Sequence, residues 1–185
     1  MGKGVIVRPS VAADAAALQA IYGHHVLNGL GTFEEAPPSV EEMERRRAAV
    51  VARGLPYLVA EIDGRVAGLA YAAPFRLRAA YRYTVEDSVY VAPDAVGRGV
   101  GRAVLSAVIA ACEDLGLRQM IAVIGDSGNA GSVGLHRALG YEMKGVMPGL
   151  GFKHGRWVDI VWMQKALNGG AGAPPDAPGL ALHGV

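Results

Sequence analysis

Three glycines at alternate positions, Gly97, Gly99 and Gly101, separate two segments of opposite periodicity, and this junction constrains the fold more than any other stretch. Before it, residues 83–91 carry Tyr83, Thr84, Val85, Val89, Tyr90 and Val91, side chains that fit a pleated surface. Pro93 cannot extend a ladder and ends that strand. After the junction, Leu105, Val108, Ile109 and Cys112 recur at helical spacing, and Gly116 closes the predicted helix. Amides at the start of such a helix point outward without partners, and the helix dipole adds about half a positive charge. Glycines let a ligand approach the backbone, and Arg98 and Arg102 add formal charge. A phosphate or pyrophosphate is the natural guest, cradled by residues 96–102 (Val96, Gly97, Arg98, Gly99, Val100, Gly101, Arg102).

Two phosphate loops are excluded by spacing. No Lys-Ser/Thr pair follows the glycines, as a P-loop requires, and Val104 stands where a dinucleotide fingerprint needs its third glycine. The pattern that remains, G-R-G-V-G after a strand, resembles the pyrophosphate loop of the GNAT superfamily of N-acetyltransferases. That family usually carries Gln or Arg at the position of Val96, so a side-chain contact is missing here while the backbone donors stay.

Composition narrows the partners. The chain has 185 residues, room for one domain with a full core, and its 18 basic and 17 acidic residues leave a net charge of +1. That balance argues against a nucleic acid or an anionic membrane surface as main partner. One cysteine excludes an internal disulfide and a multi-cysteine metal site, and Cys112 reads as a buried small hydrophobe. The first hydrophobic run is too short for a signal peptide, and no segment nears the ~20 apolar residues of a membrane span. A soluble, cytoplasmic, metal-free protein is expected.

From the start, residues 4–8 read as a strand stopped by Pro9. Ser10 or Asp14 caps a helix with the stripe Leu18, Ile21, Tyr22 and Val26. His24 and His25 read as ordinary polar or edge-of-core residues of that helix. The loop 29–38 holds Phe33, which either lines a pocket or tucks under its own loop. Ser39 and Glu42 have capping-box spacing, opening a helix to about Ala52 with Gly54 as its cap; Arg45, Arg46 and Arg47 read as a solvated face. Strands at 57–62 and 65–73 flank an Asp63-Gly64 hairpin turn. Residues 118–124 suit a strand buried on both faces, and Asn129 caps a helix to Leu139. A strand at 141–146, a loop at 147–155 and a strand at 157–165 follow. Residues 168–185, rich in Gly and Pro, read as a flexible tail behind a single domain at 1–167. The sum is an α/β chain with a mixed sheet flanked by helices on both faces.

That element order is similar to the GNAT fold from residue 5 to about 167. Residues 67–91 (AGLAYAAPFRLRAAYRYTVEDSVYV), 122–125 (AVIG), 132–141 (SVGLHRALGY) and 151–160 (GFKHGRWVDI) resemble the phosphinothricin acetyltransferase branch. The resemblance implies acetyl-CoA as co-substrate, a small amino-acid-like amine such as phosphinothricin or methionine sulfoximine as acceptor, and a homodimer.

Acetyl transfer to an amine needs a neutral amine and a protonated leaving thiolate. A carboxylate can take the ammonium proton if burial raises its pKa. Glu86 sits in a β-prone strand, shares a face with Thr84, Ser88 and Tyr90, and coincides with the family's general base; Asp87 points to the other face and serves as the structural control. His136 stands where many GNAT enzymes carry a proton-donating tyrosine, and it either donates that proton, orients the amine or is satisfied locally. Asn129 resembles the family's contact to the pantetheine arm, with Ser132 beside it, and the backbone of Val89, Tyr90 and Val91 can bond the arm's amides. Arg76 and Arg78, with Tyr81, are candidates to hold an acceptor's carboxylate or phosphinate, Thr84 and Phe33 to wall its pocket. Lys153 has no derived role. Two rivals stay open: another acceptor (a polyamine, an aminoglycoside or a peptide N-terminus), or an acyl-CoA-binding regulatory module without turnover.

Overall fold

A computed structural model describes residues 4–182 of the chain; residues 1–3 and the last three of the expected tail lie outside the described residues. The strands are β1 (Ile6–Pro9), β2 (Tyr57–Ile62), β3 (Arg65–Pro74), β4 (Thr84–Val91), β5 (Gln119–Gly125), β6 (Glu142–Lys153) and β7 (Arg156–Ala166). The helices are α1 (Ala15–Asn28), α2 (Val40–Ala52), α3 (Val100–Asp114) and α4 (Ala130–Ala138). The strands form one sheet in the order β1-β2-β3-β4-β5-β7-β6. Only β4 and β5 run parallel, as the crossover through α3 dictates. The mixed sheet predicted from the element order is present.

The two faces follow from the period of two along each strand. On one face, Tyr22 of α1 meets Tyr90 of β4 edge-on at 4.9 Å, and α2 packs beside α1. On the other, α3 lays Val104, Leu105, Val108 and Cys112 against the sheet, all fully buried. Each such side chain contributes roughly 1.5–3 kcal/mol by leaving water.

One irregularity positions the site. The β4–β5 ladder covers only Thr84↔Gln119, Val85↔Met120 and Glu86↔Ile121. Beyond Glu86 the two strands part, and a slot opens inside the sheet.

Several local expectations change. Neither Ser10 nor Asp14 caps α1 with its side chain; the Asp14 carboxylate accepts instead from the Val11 amide and the Arg8 guanidinium, each at 2.8 Å. Ser39 does accept from the Glu42 amide at 3.2 Å, but the Glu42 carboxylate is held by Arg45 and Arg46 rather than returning to the cap. Arg46 also reaches Glu34 at 2.7 Å, and Arg47 donates to the Ser10 carbonyl, so these two staple α2 to the segments before it, while Arg45 faces solvent as expected. The expected loop at 147–155 is largely strand: β6 runs to Lys153, with register shifts after Met143 and Met147, the second of which absorbs Pro148 and Gly149. Residues 168–182 of the tail expected to be flexible lie along the body. Asn168 donates to the Glu113 carbonyl, Arg118 to that of Gly170 and Tyr83 to that of Ala177. Among the described residues, no helix is long and apolar enough to cross a membrane.

Candidate active site

The slot widens into a cleft of about 840 Å³ that crosses the sheet between β4 and β5. One end is the glycine turn. Gly97 and Gly99 both hold φ of +80°, a conformation that side chains resist, and Gly99 is the residue from which α3 starts. The wall there is backbone, with Arg102 beside it, and the first amides of α3 are the unpaired donors of a helix start. This cradle, where side chains are absent by necessity, fits a pyrophosphate. Val96 is exposed at its rim, and Arg98 does not line the cleft.

Asn129 and Ser132 line the opposite wall, at the start of α4. Asn129 Oδ1 accepts from the Ser132 amide at 3.1 Å, the cap expected from the sequence. Its amide nitrogen has no hydrogen-bonding partner among the described residues. The backbone of Val89, Tyr90 and Val91 lines the slot edge. The Val91 carbonyl already accepts one hydrogen bond, from His25 Nε2 at 2.9 Å. A carbonyl only accepts, so Nε2 carries the hydrogen, and burial holds the His25 pKa low. Helical spacing alone does not mark His25 as a wall residue, since its partner is 66 positions away.

Glu86 lines the cleft on the α1 face, half-buried. Burial, then the neighbouring Asp87 charge, push its pKa above the ordinary carboxylate value, against the opposing pull of Arg76. Phe33 forms the roof. Its ring lies so close over Gly151 of β6 that a Cβ there would run into it, and it lines the cleft, so the pocket-lining reading holds and the ring packs on β6 rather than under its own loop. The loop carrying it is pinned from beneath: the fully buried Lys153 donates to the Thr32 carbonyl at 2.7 Å, and Tyr22 hydrogen-bonds both Thr32 and Glu34. Lys153 thereby gains the role that the sequence does not supply.

Arg76, Arg78, Tyr81 and Thr84 are not among the cleft walls. The Arg76 guanidinium lies 4.3 Å over the Phe75 ring, which also packs against Tyr81, and reaches Glu86 through its charge.

On the other face of β4, Asp87 is no bland control. It is buried and accepts from the Tyr141 hydroxyl at 2.9 Å, while His136 Nε2 lies 3.0 Å from its other oxygen. His136 is only 2% exposed, and its Nδ1 donates to the Ser132 carbonyl at 2.8 Å. The cleft wall includes both Asp87 and His136. Among the described residues no group of three or more His, Cys, Asp or Glu side chains is arranged to hold a metal.

Residues 7–162 match the acetyltransferase (GNAT) domain family. The chain belongs to the GNAT acetyltransferase family. A phosphinothricin N-acetyltransferase of Alcaligenes faecalis is 55% identical over 163 residues, 88% of this chain and 83% of that one. An L-methionine sulfoximine/L-methionine sulfone acetyltransferase of Pseudomonas paraeruginosa is 40% identical over 169 residues, 91% of this chain and 98% of the relative. Among solved structures, a GNAT superfamily phosphinothricin acetyltransferase from Sinorhizobium meliloti in complex with AcCoA superposes with a TM-score of 0.90 at 48% identity, covering 94% of each chain. As a GNAT enzyme this chain is an acetyltransferase with acetyl-CoA as its acetyl donor. Gly97, Gly99, Gly101 and Arg102, with Asn129 and the β4 edge, are the residues of this chain that would hold it.

Proposed function

We propose that this acetyltransferase acts on the α-amino group of a small amino acid or analogue of the phosphinothricin or methionine sulfoximine type. The observation that carries the reading is Glu86: a half-buried carboxylate with a raised pKa, in the wall of the cleft that also holds the glycine cradle. A carboxylate with these properties suits removal of a proton from an ammonium near neutral pH. One proton leaves through Glu86. The amine nitrogen then bonds the acetyl carbon, the carbon–sulfur bond breaks, and the second N–H proton ends on the departing sulfur. No acetyl-enzyme is involved, because the only cysteine, Cys112, is buried and its thiol is pushed up to about 12 by burial. Arg76, though outside the cleft walls, acts on Glu86 through its charge and is the candidate to hold the acceptor's anionic group, with Arg78 of the same loop. The acceptors named for the two relatives above support this class.

The enzyme works in the cytoplasm, as a homodimer, with no nucleic acid or membrane partner. The domain spans 1–167, and 168–185 is an appendage. Support for the dimer is the apolar surface of the β6–β7 hairpin, where Val146, Met147, Leu150, Phe152 and Trp157 are all exposed on a sheet edge.

Thiol release from acetyl-CoA against a panel of amines tests the reading. Turnover with phosphinothricin, methionine sulfoximine, methionine sulfone or common amino acids is expected. Turnover with spermidine or an aminoglycoside alone would overturn it.

A further inference from the structure

Of the three readings open for His136, its proton inventory favours local satisfaction over proton donation. Its Nδ1 faces a carbonyl, so that nitrogen must carry a hydrogen. Its Nε2 faces an Asp87 oxygen at 3.0 Å, and a bare lone pair there would meet another lone pair. The Asp87 carboxylate meanwhile accepts from Tyr141 on its second oxygen. With the shared proton held on Nε2, the Asp87 oxygen accepts from the ring and the arrangement closes. Burial opposes the charged ring, but the Asp87 hydrogen bond and charge outweigh it and raise the His136 pKa. Both N–H groups are spent on protein oxygens, and both side chains are almost wholly buried.

The position of this pair is as informative as its chemistry. Asp87 is the first residue past the last β4–β5 rung, Glu86↔Ile121, where the strands part. His136 lies on α4, one turn after Ser132, and Asn129 at the start of that helix faces the slot. Tyr141 follows α4 directly. Where the ladder stops tying β4 to β5, side chains take over and tie β4 to α4.

We propose that Asp87 and His136 form a fixed carboxylate–imidazolium brace at the apex of the split sheet, which sets the distance between the β4 edge and the α4 wall of the acetyl-CoA slot. Asp87 is then a positioning residue, and His136 acts by holding the slot rather than by giving up a proton. The inference rests on the acetyl-transfer reading for the identity of the slot's occupant, but not on the choice of acceptor.

The test is acetyl-CoA binding by calorimetry, which needs no amine, alongside kcat at saturating substrates. Asp87→Ala and His136→Ala strand buried polar groups at the apex, so each is expected to weaken acetyl-CoA binding about tenfold or more. The double variant should be little worse than either single one, since both remove one interaction. Asp87→Asn can donate to a neutral His136 Nε2 and still accept from Tyr141. His136→Gln can place its amide where Nε2 stood. Both are expected to recover binding to within about threefold of the parent.

A proton-donating His136 would give the opposite pattern. His136→Gln would then lose about 100-fold in kcat, as deeply as His136→Ala, with binding intact, and Asp87→Asn would lose kcat as well; that result overturns the proposal. If Asp87→Ala fails to fold, Asp87→Asn and His136→Gln alone still decide between the two.

Thermal melting adds a readout independent of activity. A histidine whose pKa is raised on folding contributes stability below its unfolded value, and that contribution is lost as pH rises through the folded value. The titratable groups around the ring are Asp87 and, beyond it, Tyr141, Cys112 and Glu86, each of which feels the Asp87 charge. The parent should therefore lose melting temperature as pH climbs past the ordinary histidine range, and Asp87→Asn should lack that fall. An identical fall in Asp87→Asn would also overturn the brace.

Discussion

Glu86 and Asp87 are adjacent carboxylates on one strand, and the pleat sends them into opposite worlds. Glu86 faces the α1 side, half-buried, with no hydrogen-bonding partner among the described residues and a pKa pushed upward. Asp87 faces the α4 side, buried, with both oxygens engaged by Tyr141 and His136. Residue type and sequence context are almost the same for the two. What separates them is whether partners fill the lone pairs: an unfilled carboxylate in a half-dry cleft is a base in waiting, and a filled one is scaffold. The base and the brace proposed above thus assign one side of β4 to the acceptor and the other to the donor slot.

The strongest way to break this division is Glu86→Gln. With acetyl-CoA binding preserved, kcat/KM for the acceptor should fall about 10²–10⁴-fold, measured by thiol release. Unchanged turnover in a folded protein would remove Glu86 from the chemistry. In the parent, activity should rise with pH as Glu86 loses its proton, with an apparent pKa above the ordinary carboxylate range, and Glu86→Gln should lack that limb.

Next in size is Gly99→Val. A β-branched residue is strained at φ +80°, and the turn must rearrange. Acetyl-CoA affinity should weaken about 10–100-fold by calorimetry, and the loss should appear on the donor side alone. Smaller again, Arg76→Ala should raise the acceptor KM about tenfold and leave acetyl-CoA affinity alone. If both affinities moved together, the two sides of β4 would not be separable.

The smallest effect runs in the direction of stability. A carboxyl whose pKa is higher in the folded state costs stability as pH rises through the interval between its unfolded and folded values, and the cost is complete above it. Glu86→Gln should therefore melt a few degrees higher than the parent at neutral pH, and the gain should vanish in acid. An active-site residue that weakens the fold is what a functional carboxylate in a half-dry cleft predicts.

Most of the architecture was legible because it rests on local signals. The glycine turn, the Asp63-Gly64 hairpin, the Asn129 cap and the α1 stripe each declare themselves within a few residues. Glu86 was legible because a charge amid β-prone residues is costly as mere packing. Asp87 was not, since nothing near it in sequence announces a histidine 49 positions on. The same holds for Lys153, whose acceptor on Thr32 is 121 positions away, and for His25. The strand through Pro148 and Gly149 was hidden by the two residues that ordinarily end strands; the register shift between Met147 and Gly151 makes room for them. In each case the decisive partner is brought close only by the completed sheet.

The three-rung ladder between β4 and β5 has a further consequence. Past Glu86 the molecule keeps a gap in its own sheet that an extended, amide-bearing arm can fill as a removable strand. The acetyl donor is then part of the fold as well as a reactant. At a donor level about 100 times its dissociation constant, the native state gains roughly 2.7 kcal/mol over the unladen one. Resistance to unfolding and proteolysis should therefore follow the supply of acetyl groups, so that the protein persists best when it has something to transfer.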